Sequence, residues 1–335
     1  MAGIRSALIA TNITLSLVFF YLCTLPSSRA WDGNQFRKAD EKEIEHYTEA
    51  EEGSWSEAYY FIFSTDPQPG LIDMIEGGDG SRWDTELENT RNAMTAINNM
   101  KPPPKFLFVG GDIVNAFPGE SLRKRQEADI REAFSYLNSS IPIFVISGNH
   151  DLGNVPTPDT MESYQKEFGD DYYAFWVGGV MYIALNSQCM FNSTYTEGLC
   201  TMQDVWLQKE LDRAGNSSCQ HVVILMHIPP FIDSLEESNT YFSIPVSRRL
   251  ALLRQFSHAG VEKVFSGHYH RNSGSVWTEQ KQDGSSVEIE VVVSSALGAQ
   301  LGGDQSGIRV VKVLKNAISH SYYTISDIPE SVTLP

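Results

Sequence analysis

Short runs of β-branched and aromatic residues, closed by glycine, proline or polar clusters, recur along this chain with room for a helix between them. Tyr59–Phe63, Phe106–Val109, Ile143–Ile146, Val222–Leu225 and Val264–Phe265 have the length and composition of buried strands. Between the first two, Asp84–Asn99 places Leu87, Ala93, Met94 and Ile97 near helical spacing, and Pro102–Pro104 stops the helix. Further helices are expected around Glu127–Leu137, Thr160–Phe168, Gln203–Arg213 and Ser247–His258. Tyr172–Val177 and Val180–Asn186, split by Gly178 and Gly179, read as a hairpin. Beyond the last helix only strands are expected, at Val287–Val293, Ile308–Val313 and Ile318–Ile325. Strand and helix in alternation mean a sheet with helical crossovers, and the whole pattern predicts an α/β fold of two sheets packed face to face with helices outside.

The apolar runs all end in similar chemistry. They lead to Asp66, Asp112, Asn149-His150-Asp151, His227, and His268 with His270. In an open α/β sheet the crevice beyond the carboxyl ends of the strands is where sites assemble, so five such ends bearing Asp, Asn and His point to a metal site. Any one of these residues alone would read as a turn former, a helix cap or a structural histidine. His46, His221, His258 and His320 have no such context and are read as structural.

With 335 residues, 41% hydrophobic and 20% charged, the chain can bury a large core. The first thirty residues differ from the rest. A basic start, an apolar region over Ala7–Leu25 and the small residues around Ser28-Arg29-Ala30 read as a cleaved signal peptide. Thr11, Asn12, Thr14, Ser16 and Thr24 make the segment a poor membrane span, so no membrane partner is expected once it is removed. Residues 31–56 read as an acidic, polar, solvated leader, 57–327 as the folded domain that carries the candidate ligands and 328–335 as a tail. A secreted or lumenal chain gives meaning to the sequons at Asn138, Asn192 and Asn216, and to Cys189 and Cys200, which bracket a loop that a disulfide could staple. Cys23 would leave with the signal peptide, and Cys219 reads as a buried free thiol. A net charge of −17 argues against a nucleic-acid partner, since affinity for a phosphate backbone is built from Lys and Arg.

Taken in order, Asp66-Pro-Gln68, Gly111-Asp112, Gly148-Asn-His-Asp151, His227 and Gly267-His-Tyr-His270 resemble the motifs of the calcineurin-like metallophosphoesterases, from about Trp55 to Ser326. The resemblance implies a four-layer αββα sandwich of two mixed β-sheets flanked by helices, the metallo-dependent phosphatase fold. It implies two divalent ions (Mn, Fe, Zn or Mg) bridged by Asp112, with Asp66 and His270 on the first and Asn149, His227 and His268 on the second. Carboxylate, carboxamide and imidazole suit such ions. It also implies that His150 protonates the leaving oxygen or stabilises the transition state and that Asp151 orients His150. Gln68 departs from the pattern, since the broader family has histidine there. A carboxamide oxygen is the weaker ligand, so the first ion should be held more loosely. Arg271, next to the last pair, could clamp a phosphate in bidentate fashion, with a surface salt bridge as the alternative.

The function expected on this resemblance is hydrolysis of phosphate monoesters, with a phosphorylated small molecule or a phosphoprotein as substrate. The motifs fix attack on phosphorus and leave the leaving group open. A phosphodiesterase or nucleotidase with the same centre is therefore an alternative, as is a secreted binding protein with a vestigial metal site.

Overall fold

The computed structural model describes residues 36–335 apart from residue 282, so the expected signal peptide and Cys23 lie outside the described residues. Among the described residues eleven strands occur in chain order: β1 Tyr59–Ser64, β2 Leu107–Val109, β3 Ile143–Val145, β4 Tyr173–Val177, β5 Val180–Leu185, β6 His221–Met226, β7 Val261–Ser266, β8 Ser273–Gln280, β9 Ser286–Val293, β10 Gly307–Leu314 and β11 Ala317–Thr324. The helices are α1 Glu49–Glu52, α2 Leu71–Ile75, α3 Asp84–Asn99, α4 Arg123–Phe134, α5 Asn149–Leu152, α6 Pro158–Phe168, α7 Gln188–Phe191, α8 Glu197–Asn216 and α9 Val246–His258.

The strands form two mixed sheets, ordered β11-β10-β1-β2-β3 and β4-β5-β6-β7-β9-β8. β1, β2 and β3 run parallel, as do β5, β6, β7 and β9, so in each sheet the strand ends that carry chemistry lie along one edge. Side-chain alternation sorts each strand into two layers. Tyr60 and Ile62 of β1 face a core shared with α3 and α4, whereas Tyr59, Phe61 and Phe63 enter the core between the sheets. On β5, Met181, Ile183 and Leu185 pack toward α8 and α9, while Val180, Tyr182 and Ala184 face the first sheet. Strands buried on both faces read as continuous apolar runs, which is why they stand out in the sequence. Between the sheets the filling is aromatic: Phe61 stacks on Phe106 at 4.6 Å, and Phe144 and Phe175 meet at 4.5 Å. Burying each such ring contributes roughly 1.5–3 kcal/mol. The sandwich is the expected αββα arrangement.

Three expectations need correction. The leader is not solvated from Phe36 onward. Phe36, Ala39 and Ile44 are buried, and the segment exchanges backbone hydrogen bonds with both sheets: Arg37 N–H donates to Ile143, Ala174 N–H to Lys42 and Trp176 N–H to Tyr47. β3 and β4 are the edge strands on this side, and the segment covers backbone groups that an open edge would leave unpaired. The residues read as a C-terminal tail are likewise docked, with Val332 buried and its N–H donating to Lys101. β8 is an additional strand that the sequence pattern does not announce. It is a polar edge strand, half-exposed to exposed along its length, with too few apolar residues to signal itself. Helix ends also differ: α8 begins at Glu197 and α4 at Arg123, ahead of the apolar residues that mark them in sequence.

A polar pair joins the two sheets. Glu290 of β9 lies 3.2 Å from His320 of β11 and also contacts Lys263 of β7. The hydrogen bond from His320 outweighs the upward push of burial and, with Lys263, holds the Glu290 carboxyl down at about 2. A depressed carboxylate contributes stability above its unfolded value and loses it as pH falls through the folded one. Glu290→Gln is therefore expected to be less stable than wild type at pH 6, and the gap should close between about pH 4.5 and 2. Urea midpoints measured across that range check it; a gap that persists undiminished at the acid end would show that the carboxylate is not the source.

Candidate metal centre

The chain turns sharply where it leaves β1, β2 and β7. Asp66, Gln68, Asp112, His268 and His270 all have positive φ, from 30° to 67°, a left-handed conformation costing about 1–3 kcal/mol per non-glycine residue. Cross-links between the turns hold them there. Asp66 N–H donates to Gly111 at 3.1 Å, Gln68 N–H to Asp112 at 3.3 Å, and Gly267 N–H to His227 at 3.0 Å. His268 N–H reaches Asp66 Oδ2 at 3.0 Å, and His150 N–H reaches Asp112 Oδ1 at 2.8 Å. Two glycines are required by this closeness: a Cβ on Gly148 would stand 2.1 Å from Asp112 Oδ1, and one on Gly267 would stand 2.0 Å from Thr65 Oγ1.

The result is two overlapping clusters. Asp66, Asp112 and His270 offer ligand atoms all within 4.8 Å of one another, and so do Asp112, His227 and His268; Asp112 belongs to both, and all five residues are buried. Hydrogen bonds on the far side of each imidazole decide which nitrogen faces inward. His227 Nδ1 meets the Gly110 carbonyl at 2.8 Å and His270 Nδ1 the Ala299 carbonyl at 2.5 Å, so each turns Nε2 into the cluster. His268 is reversed: its Nε2 meets the Tyr241 carbonyl at 2.9 Å, leaving Nδ1 to face inward. His227 Nε2 then lies 3.3 Å from Asp112 Oδ2, 3.2 Å from Asn149 Oδ1 and 3.9 Å from Asp66 Oδ1. Among the described residues Asp66 Oδ1 and Gln68 Oε1 are buried without a hydrogen-bond donor. Lone pairs aimed at one another, with two orphaned oxygens, are what cations would satisfy. The residues present therefore fit a dinuclear divalent centre.

The same crowding polarises the group. Burial pushes His227 down, but the Asp112 and Asp66 carboxylates outweigh it and lift the imidazole to about 9. Burial and the charge of His227 drive His268 down to about 4. Burial opposes ionisation of Asp112, yet His227 and His150 hold it well below the usual carboxylate range. Burial, then the Asp112 charge, raises Asp151 to about 7.

His150 sits at the rim. Its ring stacks on Phe117 at 4.2 Å, its Nδ1 is bonded to the Asn115 carbonyl, and its own carbonyl accepts from Arg123 at 2.8 Å. Asp151 is differently occupied from the orienting role expected of it. Its carboxylate accepts from the backbone N–H of Gly148 at 2.8 Å and of Ile113 at 3.2 Å, fixing the turn that bears Asn149 and His150, while the Asn115 carbonyl engages the imidazole. Arg271 does not join the cluster through any contact among the described residues. Its guanidinium donates to the Leu301 carbonyl and lies 5.1 Å over the Tyr269 ring. Asn138 and Asn216 are exposed, Asn192 is half-buried, and Cys189 and Cys200 form the expected disulfide.

Sequence reasoning missed the residues that hold this shell. The Asn149 amide nitrogen donates to the Tyr241 hydroxyl at 2.8 Å and to Asn154 Oδ1 at 3.0 Å, and the Tyr241 ring lies 4.9 Å from His268. Tyr241 lies in a long loop with no motif around it, and the Asn115 and Tyr241 contacts to histidine are made by backbone carbonyls, which leave no trace in side-chain identity.

A family model described as calcineurin-like phosphoesterase matches residues 61–272. The chain is 42% identical over 305 residues to the serine/threonine-protein phosphatase CPPED1 of Danio rerio, covering 90% of this chain and 96% of that one. It is 40% identical over 308 residues to the human protein of the same name, covering 90% and 95%. The chain belongs to the calcineurin-like phosphoesterase family. Solved structures agree at the level of fold: a Danio rerio dimetal phosphatase superposes with a TM-score of 0.53 at 13% identity, over 80% of this chain and all of that one. A purple acid phosphatase from yellow lupin superposes at 0.55 with 14% identity, over 83% of this chain and 53% of that one. As a calcineurin-like phosphoesterase, this chain is a phosphoric ester hydrolase acting on phosphorylated substrates.

Proposed function

We propose that the protein is a secreted or lumenal phosphomonoesterase, of the serine/threonine-protein phosphatase kind, working through two divalent ions. The observation that carries the reading is the position of Asp112 in both ligand clusters. Asp66 and His270 would hold one ion, Asn149, His227 and His268 the other, and Asp112 would serve both. Gln68, whose carboxamide oxygen is buried without a donor, would add at most that weak ligand to the first half. When bound, such a pair neutralises charge on the phosphoryl oxygens and supplies a nucleophile at neutral pH. The chain does the rest. His150, whose Nδ1 hydrogen is fixed on the Asn115 carbonyl, delivers a proton from Nε2 to the leaving oxygen. The backbone N–H of His150 on Asp112 Oδ1 keeps this acid in register with the bridging carboxylate. Asp151 keeps the Gly148–Asp151 turn from opening.

Likeness to phosphatases over nearly the whole chain supports the monoester preference. p-Nitrophenyl phosphate is accordingly expected to be turned over much faster than its bis ester, with activity rising on added Mn as the half with Gln68 fills. Faster hydrolysis of the bis ester would make the enzyme a diesterase, and no hydrolysis of either with Mn present would make the centre vestigial. The apolar leader, the three sequons and the disulfide, a bond that persists in oxidising compartments, support the location. Intact mass of the native protein is expected to show a chain starting near Trp31 with at least one glycan. A bare chain starting at Met1 would place it in the cytosol.

A further inference from the structure

Between β6 and α9 the chain makes a long irregular loop that passes over the Asn149 and His268 side of the centre. Long loops of this kind are ordinarily the mobile part of a fold. This one is gripped from beneath by Arg249, whose side chain is fully buried. Its Nε donates to the Ile244 carbonyl at 2.6 Å, one Nη to the carbonyls of Glu237 at 2.7 Å and Leu235 at 3.2 Å, and the other to Ser243 Oγ at 2.9 Å. The Glu237 carboxylate, 3.6 Å from the same guanidinium, caps the N–H groups of Ile232 and Asp233 at 2.9 and 2.8 Å. A guanidinium fork is the one side chain that can satisfy so many carbonyls from a single buried position.

The loop delivers Tyr241, which meets two residues of the centre by two different groups. A carboxamide ligates through oxygen alone, and its two ends are nearly equal in shape, so something must choose which end faces the ion. The Tyr241 hydroxyl accepts from the Asn149 nitrogen and donates to Asn154 Oδ1 at 2.9 Å, which leaves the Asn149 oxygen turned toward His227. The Tyr241 carbonyl meanwhile takes the Nε2 hydrogen of His268, so that Nδ1 carries the lone pair inward. We infer that Tyr241, seated by Arg249, is a positioning residue for the second half of the metal centre: it sets the amide face of Asn149 and the tautomer of His268 together. The inference rests on the two-ion reading above and adds to it a loop whose seating decides whether that half can bind.

Calorimetric Mn titration in two backgrounds tests this, with no substrate present. Asp66→Asn leaves the second half as the tighter site, and His268→Asn leaves the first. Tyr241→Phe, which removes one oxygen and keeps both the ring and the carbonyl, is expected to weaken Mn about 10- to 100-fold in the Asp66→Asn background, the usual scale for groups that orient a ligand. In the His268→Asn background it should change nothing. Arg249→Lys, which loses the fork, should weaken the second half further, and adding Tyr241→Phe to it should cost less than it does alone, because both act through one seated loop. An unchanged step for Tyr241→Phe in the Asp66→Asn background overturns the inference while leaving the two-ion reading intact. Equal weakening in both backgrounds overturns it as well, since the hydroxyl would then support the fold at large. Absence of Mn binding in either background would sink the two-ion reading and this inference with it.

Discussion

Asp112→Asn is expected to bring hydrolysis to background and to release both ions together. The carboxylate serves both clusters, and its other oxygen receives the backbone N–H of His150. Replacing one oxygen by an NH2 group removes a ligand and places a donor against either His227 Nε2, 3.3 Å away, or the His150 N–H, whichever way the amide sits. Each half would be left with fewer anionic ligands, and two cations would face each other with no shared charge between them. Metal analysis after gel filtration should therefore find less than one equivalent where wild type retains more. Retention of one full ion by the variant would mean that Asp112 belongs to a single site, and the bridging arrangement would have to be abandoned.

His150→Asn should separate chemistry from metal binding. The tie between this residue and Asp112 is made by backbone, so the variant keeps it, and metal content should remain near wild type. What it loses is the proton aimed at the leaving oxygen, an effect on the order of 10² or more. The deficit should depend on the leaving group. An alkyl phosphate needs the proton and should show the full loss, whereas p-nitrophenolate departs readily as an anion and should show less. Equal losses on the two substrates would argue that His150 stabilises charge on the phosphoryl group instead of acting as the acid.

Much of the architecture is legible in the sequence because the strands are buried on both faces and end in ligands. Phe61, Phe63, Phe106 and Phe108 mark the space between the sheets, and Asp66, Asp112, Asn149, His227, His268 and His270 mark its open edge. What stays hidden is of two kinds. Backbone groups do orienting work at Asn115 and Tyr241 that no side-chain pattern records. Segments such as Phe36–Glu52 and β8 gain their place from the edges they meet, through backbone pairing that polar sequences make as well as apolar ones. Arg249 gives no signal for a related reason: a lone arginine in a helical stretch reads as surface, and only the carbonyls converging on it reveal otherwise.

The pairing of β1 has a consequence for how the molecule comes into being. β1 lies between β2, the next strand in the chain, and β10, which begins only at Gly307. On the ribosome the first ligand-bearing strand therefore emerges long before the neighbour that closes its other side. Until β10 arrives, the strand ahead of Asp66 has one open flank, and the left-handed turns at Asp66 and Gln68 lack the full sheet that holds them. Long-range pairing of this type is slow, and partly made chains with bare strand edges are prone to stick to one another. Assembly of the ligand clusters is thus expected late, once β10 has been made, and a chain cut short before β10 is expected to be retained by chaperones and degraded instead of surviving as a weak enzyme.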